Sequence, residues 1–277
     1  SAPFDDWWHN AYGLDVQILS PPHALLAMGM HHVEVGALLL VASLQNRMVG
    51  EGRKTGPRLF LYTGGVMLSL ASLIIYEYSL PNQQHTSLFY QVSCALYPVM
   101  LVAVARASQV RWAASITALV YMVLKLAMAW ILPLFAATPK LAPIFTPVDH
   151  MVPPAFPLLL LAPALAIDLW FLALGKGRAW WRNALLVPLV SGCFLGLFLL
   201  CQWYFSTFLL SPGADNWFFV GNRYWCYNTQ PSEWLTKFWD TDVNPVTWKG
   251  LGWAWLWGGA STLVGLLWGS FFANVKR

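Results

Sequence analysis

Asp5, Asp6, His9 and His23 stand close together in FDDWWHNAYGLDVQILSPPH, residues 4–23 of a 277-residue chain. Asp5 precedes His9 by four residues and Asp6 precedes it by three, so in a short helix either carboxylate shares a face with the imidazole. The SPPH ending has the form of a helix start, with Ser20 at the cap and proline in the first helical position, which puts His23 in the first turn of the next helix. Two imidazoles and a carboxylate brought together there suit copper, zinc or ferrous iron, and the stretch offers no thiolate to favour softer chemistry. The simpler reading is that these polar groups, lying beside aromatic residues, are solvated at a membrane edge. Asp6 is a further candidate ligand. So is His150, in TPVDHMVPPAFP, where Asp149 could orient an imidazole.

A second set of polar residues lies inside apolar runs. Glu34 falls about 15 Å into the first run and Lys125, in the fourth, about 10 Å below the outer surface, counted at 1.5 Å per residue. An ionisable group at that depth is expected to pair or to face a polar cavity, and Asp168 in the fifth run is another candidate partner. His23 and Glu34 differ by only about 20° around an ideal helix, and His31 lies about 60° from Glu34. His31, Glu34, Lys125 and Asp168 therefore read either as a structural hydrogen-bond network between helices or as a path for protons or substrate.

These groups need apolar helices to position them. The chain is 58% hydrophobic and only 10% charged, with a mean hydropathy of +0.53, the balance of a polytopic membrane protein rather than a soluble one. Seven apolar stretches, 24–44, 59–76, 87–105, 112–135, 155–174, 184–207 and 251–273, approach the length of a membrane helix. The 17 Trp, 16 Phe and 10 Tyr gather beside these stretches, as interfacial belts do.

Arg47, Arg53, Lys54, Arg58, Arg106, Arg111, Lys176, Arg178, Arg182, Lys276 and Arg277 fall in alternate connections and the tail, against Lys140, Arg223, Lys237 and Lys249 in the others. The positive-inside rule then sets the N-terminus outside and the C-terminus in the cytoplasm, and brings His9, His23, His85 and His150 to the outer face. This charge alternation explains the net +4 without nucleic acid as a partner. The expected partners are the lipid bilayer and other membrane subunits, and the expected location is a bacterial cytoplasmic (inner) membrane with the histidines on the periplasmic side. The expected fold is all-α, a single membrane domain over 1–277. Residues 1–23 form an outer interfacial segment, and 211–250 a long aromatic outer loop in which PSEWLTKFWD has the spacing of a short interfacial helix.

Asp5-x-x-x-His9, followed fourteen residues later by His23 in an SPPH turn that leads into an apolar helix, resembles the metal-site segment of the C subunit of the copper membrane monooxygenases, the family of particulate methane and ammonia monooxygenases. The resemblance implies copper held by Asp5, His9 and His23, with iron or zinc as other metals those groups accept, in the metal-binding subunit of a multi-subunit membrane oxidoreductase. It covers residues 5–23. It departs from the family in a second spacing one residue longer, and in Asn82 and His85 standing three apart where the family has an Asn and a His four apart.

Two other functions fit the composition: a non-catalytic scaffold subunit of a larger respiratory or photosynthetic membrane complex, and a small transporter using Glu34, Lys125 and Asp168. The last apolar run has no lysine for a retinal Schiff base before Lys276. GEGRKT at 50–55 lacks phosphate-loop spacing, and there is no H-E-x-x-H, G-x-S-x-G or paired-cysteine motif.

Overall fold

The computed structural model describes residues 2–13, 20–48, 55–138, 147–177, 179–221 and 245–276. The interfacial helix expected at PSEWLTKFWD, together with Lys140, Arg223 and Lys237, lies outside the described residues. The described residues are all-α: a short helix α1 (Ala2–Tyr12) precedes α2 (Pro21–Arg47), α3 (Thr55–Ile74), α4 (Ser87–Ala107), α5 (Ala113–Ile131), α6 (Leu161–Leu174), α7 (Trp180–Leu209) and α8 (Trp248–Phe272). Five of them, α2, α3, α4, α7 and α5 with its 3-10 extension to Leu134, are long and apolar enough to cross a membrane. The chain is thus a multi-pass membrane protein. α8 is 25 residues long, but its composition is diluted with Trp and Gly.

Residues 155–160, expected to open a helix, are instead irregular, and α6 has only 14 residues. The cause is local: Pro153, Pro154 and Pro157 each lack an amide donor and restrict the residue before them to extended backbone. Irregular backbone at membrane depth must find partners within the protein. Here the Leu158 amide donates to the Tyr121 hydroxyl (3.2 Å) and the Leu159 amide to Gln202 Oε1 (3.0 Å), while Gln202 Nε2 donates to Gln84 Oε1 (2.7 Å).

α4 lies at the centre, with Phe89, Tyr90, Cys94, Tyr97 and Leu101 buried. α8 lies along it in close contact. An added methyl at Gly265 would fall 2.6 Å from the Val99 carbonyl oxygen, and one at Gly269 would fall 2.7 Å from that of Ala103, so only glycine permits this approach. Such close packing is how helices associate in lipid, where apolar burial against a neighbouring helix gains little over burial in acyl chains. α3 packs against both α2 and α5, and α6 and α7 close the far side.

One end of the bundle is knitted by polar contacts: Asn46 Nδ2 donates to the Phe272 and Val275 carbonyls, Arg106 to Asn183 Oδ1 (2.8 Å), and Lys176 Nζ to the Ser108 carbonyl (2.7 Å). Arg47, Arg58, Arg106, Arg111, Lys176, Arg182 and Lys276 all sit at this end of their helices. Lys249 sits at the other end, with α1 and the start of α2.

Candidate metal centre

α1 is held by its own aromatic residues and by its charges. Phe4 stacks on Trp7 with ring centroids 5.8 Å apart, and Trp8 lies 4.5 Å from Tyr12. Asp5 falls in the first turn and His9 in the last, the arrangement that complements the helix dipole. Gly13 ends the helix. Its φ of +85° is the left-handed conformation that glycine adopts freely, and its amide donates to the His9 carbonyl (2.9 Å). The turn also presents the Gly13 carbonyl to His9 Nδ1 at 3.1 Å. With a proton on Nδ1, donated to that carbonyl, Nε2 keeps its lone pair.

That Nε2 faces Asp5 Oδ1 at 3.4 Å, one helical turn away, as the spacing anticipates. His23 arrives from α2. Ser20 occupies the N-cap position in extended conformation and the two prolines begin the helix, although the Ser20 side chain makes no capping bond. His23 Nε2 lies 3.8 Å from the same Asp5 oxygen, and the His9 and His23 ring centroids are 6.4 Å apart.

The three ligand atoms lie within 4.8 Å of one another. Ligands about 2.0 Å from a shared ion at tetrahedral angles are about 3.3 Å apart, so the two pairs with Asp5, at 3.4 and 3.8 Å, are near that of a first coordination shell, and the rings would close in slightly around an ion. The residues fit a cation on a second count: Asp5 Oδ1 is buried between the rings and accepts no well-formed hydrogen bond, leaving a negative oxygen aimed at two imidazole nitrogens. The side chains of Asp5, His9 and His23 are 28–39% exposed, so solvent reaches the cluster. Among the described residues this is the one group of three or more such side chains close enough to share an ion.

The other candidates are elsewhere. Asp6 is exposed, and its backbone carbonyl accepts from Asn10. His150 pairs through its backbone with Ala136, and its Nδ1 lies 3.1 Å from the Met151 carbonyl. His85 packs edge-on against Trp203, with centroids 4.2 Å apart, and its Nε2 lies 3.0 Å from Ser206 Oγ. Burial there pushes its pKa down to about 4.

Of the intramembrane set, His31 and Glu34 lie close enough to interact electrostatically, while Lys125 and Asp168 stand apart from them and from each other. Asp168 accepts from the Ala114 and Ser115 amides and from the Ser115 hydroxyl, at 3.0, 2.8 and 2.7 Å, capping the start of α5 near the basic end. Lys125 lies ten residues further along α5, about 15 Å away, so the two cannot pair. Glu34 and Lys125 form no ion pair, and α3 packs between their helices. His31 bonds back to its own helix, with Nδ1 2.9 Å from the Ala27 carbonyl. His23 and His31 share a different feature, an apolar groove of about 240 Å³ between α2 and α3 that Leu26, Met30, Leu70 and Leu73 also line.

The positioning residue that spacing alone did not reveal is Gly13. Its signal was in the sequence all the same: a glycine four residues past His9 is where a helix end would offer its carbonyl to that ring. Compared with known proteins, the chain matches no family model, no curated protein and no solved structure.

Proposed function

We propose that the chain is the metal-binding subunit of a membrane oxidoreductase, related to the copper-dependent membrane monooxygenases, with Asp5, His9 and His23 holding copper at the outer lip. One observation carries this reading: the buried Asp5 oxygen faces two imidazole nitrogens at 3.4 and 3.8 Å. Asp5 supplies charge, the two rings supply nitrogen donors, and the Gly13 carbonyl fixes the His9 tautomer. When bound, copper supplies one-electron redox chemistry at a position left open to solvent. The groove beside His23 gives an apolar molecule a route from the bilayer.

The gathering of basic residues at the opposite end supports a cytoplasmic placement for that end, with seven spans, the N-terminus outside and the triad on the periplasmic face of a bacterial inner membrane. α6 completes this topology only together with the irregular residues before it.

One observation favours the scaffold reading. α2 leaves much of its length uncovered: Met28, Val33 and Leu40 are exposed, and an added methyl at Gly29 or Gly36 would meet nothing. Such a face suits another membrane subunit.

Elemental analysis of the purified protein tests the metal reading. It predicts one copper per chain, lost in His9→Ala and in His23→Ala. Absence of metal in the wild type, or metal unchanged in both variants, contradicts it. A larger complex that stays fully active with Asp5→Ala and His9→Ala supports the scaffold reading instead.

A further inference from the structure

We propose that Lys125 anchors a buried site for one small monovalent anion of the chloride type. Lys125 is 5% exposed, about 10 Å short of the outer end of α5, and has no hydrogen-bond or ion-pair partner among the described residues. It lines a cavity of about 20 Å³ with Tyr97, Tyr121, Ser72 and Tyr76, and residues 155–158 of the irregular stretch form another wall. A space of that size holds a single water-sized guest.

The lining sets the sign of the guest. Among the described residues no carboxylate lines the cavity. The Tyr121 hydroxyl accepts the Leu158 amide and lies against the fully buried Tyr97 hydroxyl, so that the two phenols together keep one proton to offer a guest. Ser72 already donates to the Ser69 carbonyl (2.6 Å). An ammonium and a pair of phenolic hydroxyls thus line an acid-free hole.

A lone ammonium at this depth costs several kcal/mol unless it is neutralised or hydrated, and one anion would neutralise it while taking the spare phenol proton. The break in the chain supports the same conclusion independently. Non-helical backbone inside a membrane protein persists where it is buried or lines a cavity, and unwound segments of this kind are where transporters hold ions.

The probe is halide, used on the full-length protein in zwitterionic nanodiscs at constant ionic strength. Replacing gluconate by chloride is expected to raise the melting temperature saturably. In crystals grown with bromide, an anomalous peak is expected between Lys125, Tyr97 and Tyr121. Lys125→Met is expected to abolish the response. Tyr97→Phe, which keeps the volume and the charge, is expected to weaken halide binding about tenfold. No bromide peak at saturation, or a chloride response equal in wild type and Tyr97→Phe, overturns the proposal in favour of a water beside a neutral lysine, and this holds even where Lys125→Met fails to fold.

Discussion

The triad at the lip and the Lys125 pocket are two polar sites in an apolar protein, built in opposite ways. The triad is half-exposed, carries a carboxylate, and comes from residues 5–23 on two consecutive helices. The Lys125 pocket lies deep between helices, with walls from α3, α4, α5 and the irregular stretch before α6. A site open to water can exchange its ion and a ligand; a small site between packed helices holds one guest as part of the fold. The two also use special backbone residues differently. At the lip a single left-handed glycine aims one ring, whereas at depth three prolines unwind a span and side chains must satisfy the freed amides.

The largest expected effect separates the sites. Asp5→Ala, His9→Ala or His23→Ala should each lower metal affinity by more than the roughly 10–100-fold that losing an outer hydrogen-bond partner costs, while Lys125→Met leaves it unchanged. Isothermal titration with copper reads both. Equal losses in Lys125→Met would join the two sites and break the comparison.

Asp168→Ala comes next. It strands two buried amides at the start of α5, the helix that carries Lys125 and Tyr121, and should destabilise the protein by about 2–3 kcal/mol without changing metal content. Thermal unfolding in nanodiscs checks this; a metal loss of the same size would mean that the lip depends on α5.

Gly13→Ala is expected to cost less, about 1–2 kcal/mol of backbone strain at a positive φ, and to weaken metal about tenfold by turning the His9 ring. Gly13→Asn, which tolerates the left-handed conformation, should restore most of it.

The smallest effect comes from His85, a histidine at the same end of the bundle but packed into a wall. Its pKa falls to about 4 on folding from an ordinary 6.5, so the unfolded chain takes up the proton first as pH drops. Stability is therefore expected to decline between those two values and level off below, by on the order of 1 kcal/mol after allowing for the solvent that still reaches the ring. His85→Gln should flatten that slope; an unchanged slope would show that other groups set it.

The same contrast explains what was legible in the sequence. Asp5 and His9 are joined by helix periodicity, and the SPPH turn fixes where α2 begins, so short-range rules were enough to bring together three side chains that could hold a metal. The apolar runs marked the helices for the same reason. The break before α6 was visible as prolines, but hydropathy carried the span through them. The Lys125 cavity depends on which helices pack side by side, and no periodicity encodes that. Asp168 looked like a charge buried in mid-span. Only the packing of α6 against the start of α5 makes it a cap.

The central claim is that a carboxylate and two imidazoles share one ion, and X-ray absorption at the copper edge of the loaded wild-type protein, with the same measurement on His23→Ala, tests it most directly. The account predicts two imidazole nitrogens and at least one oxygen at about 2.0 Å, falling to one imidazole in the variant. A copper shell without imidazole, or one identical in the two proteins, would contradict it.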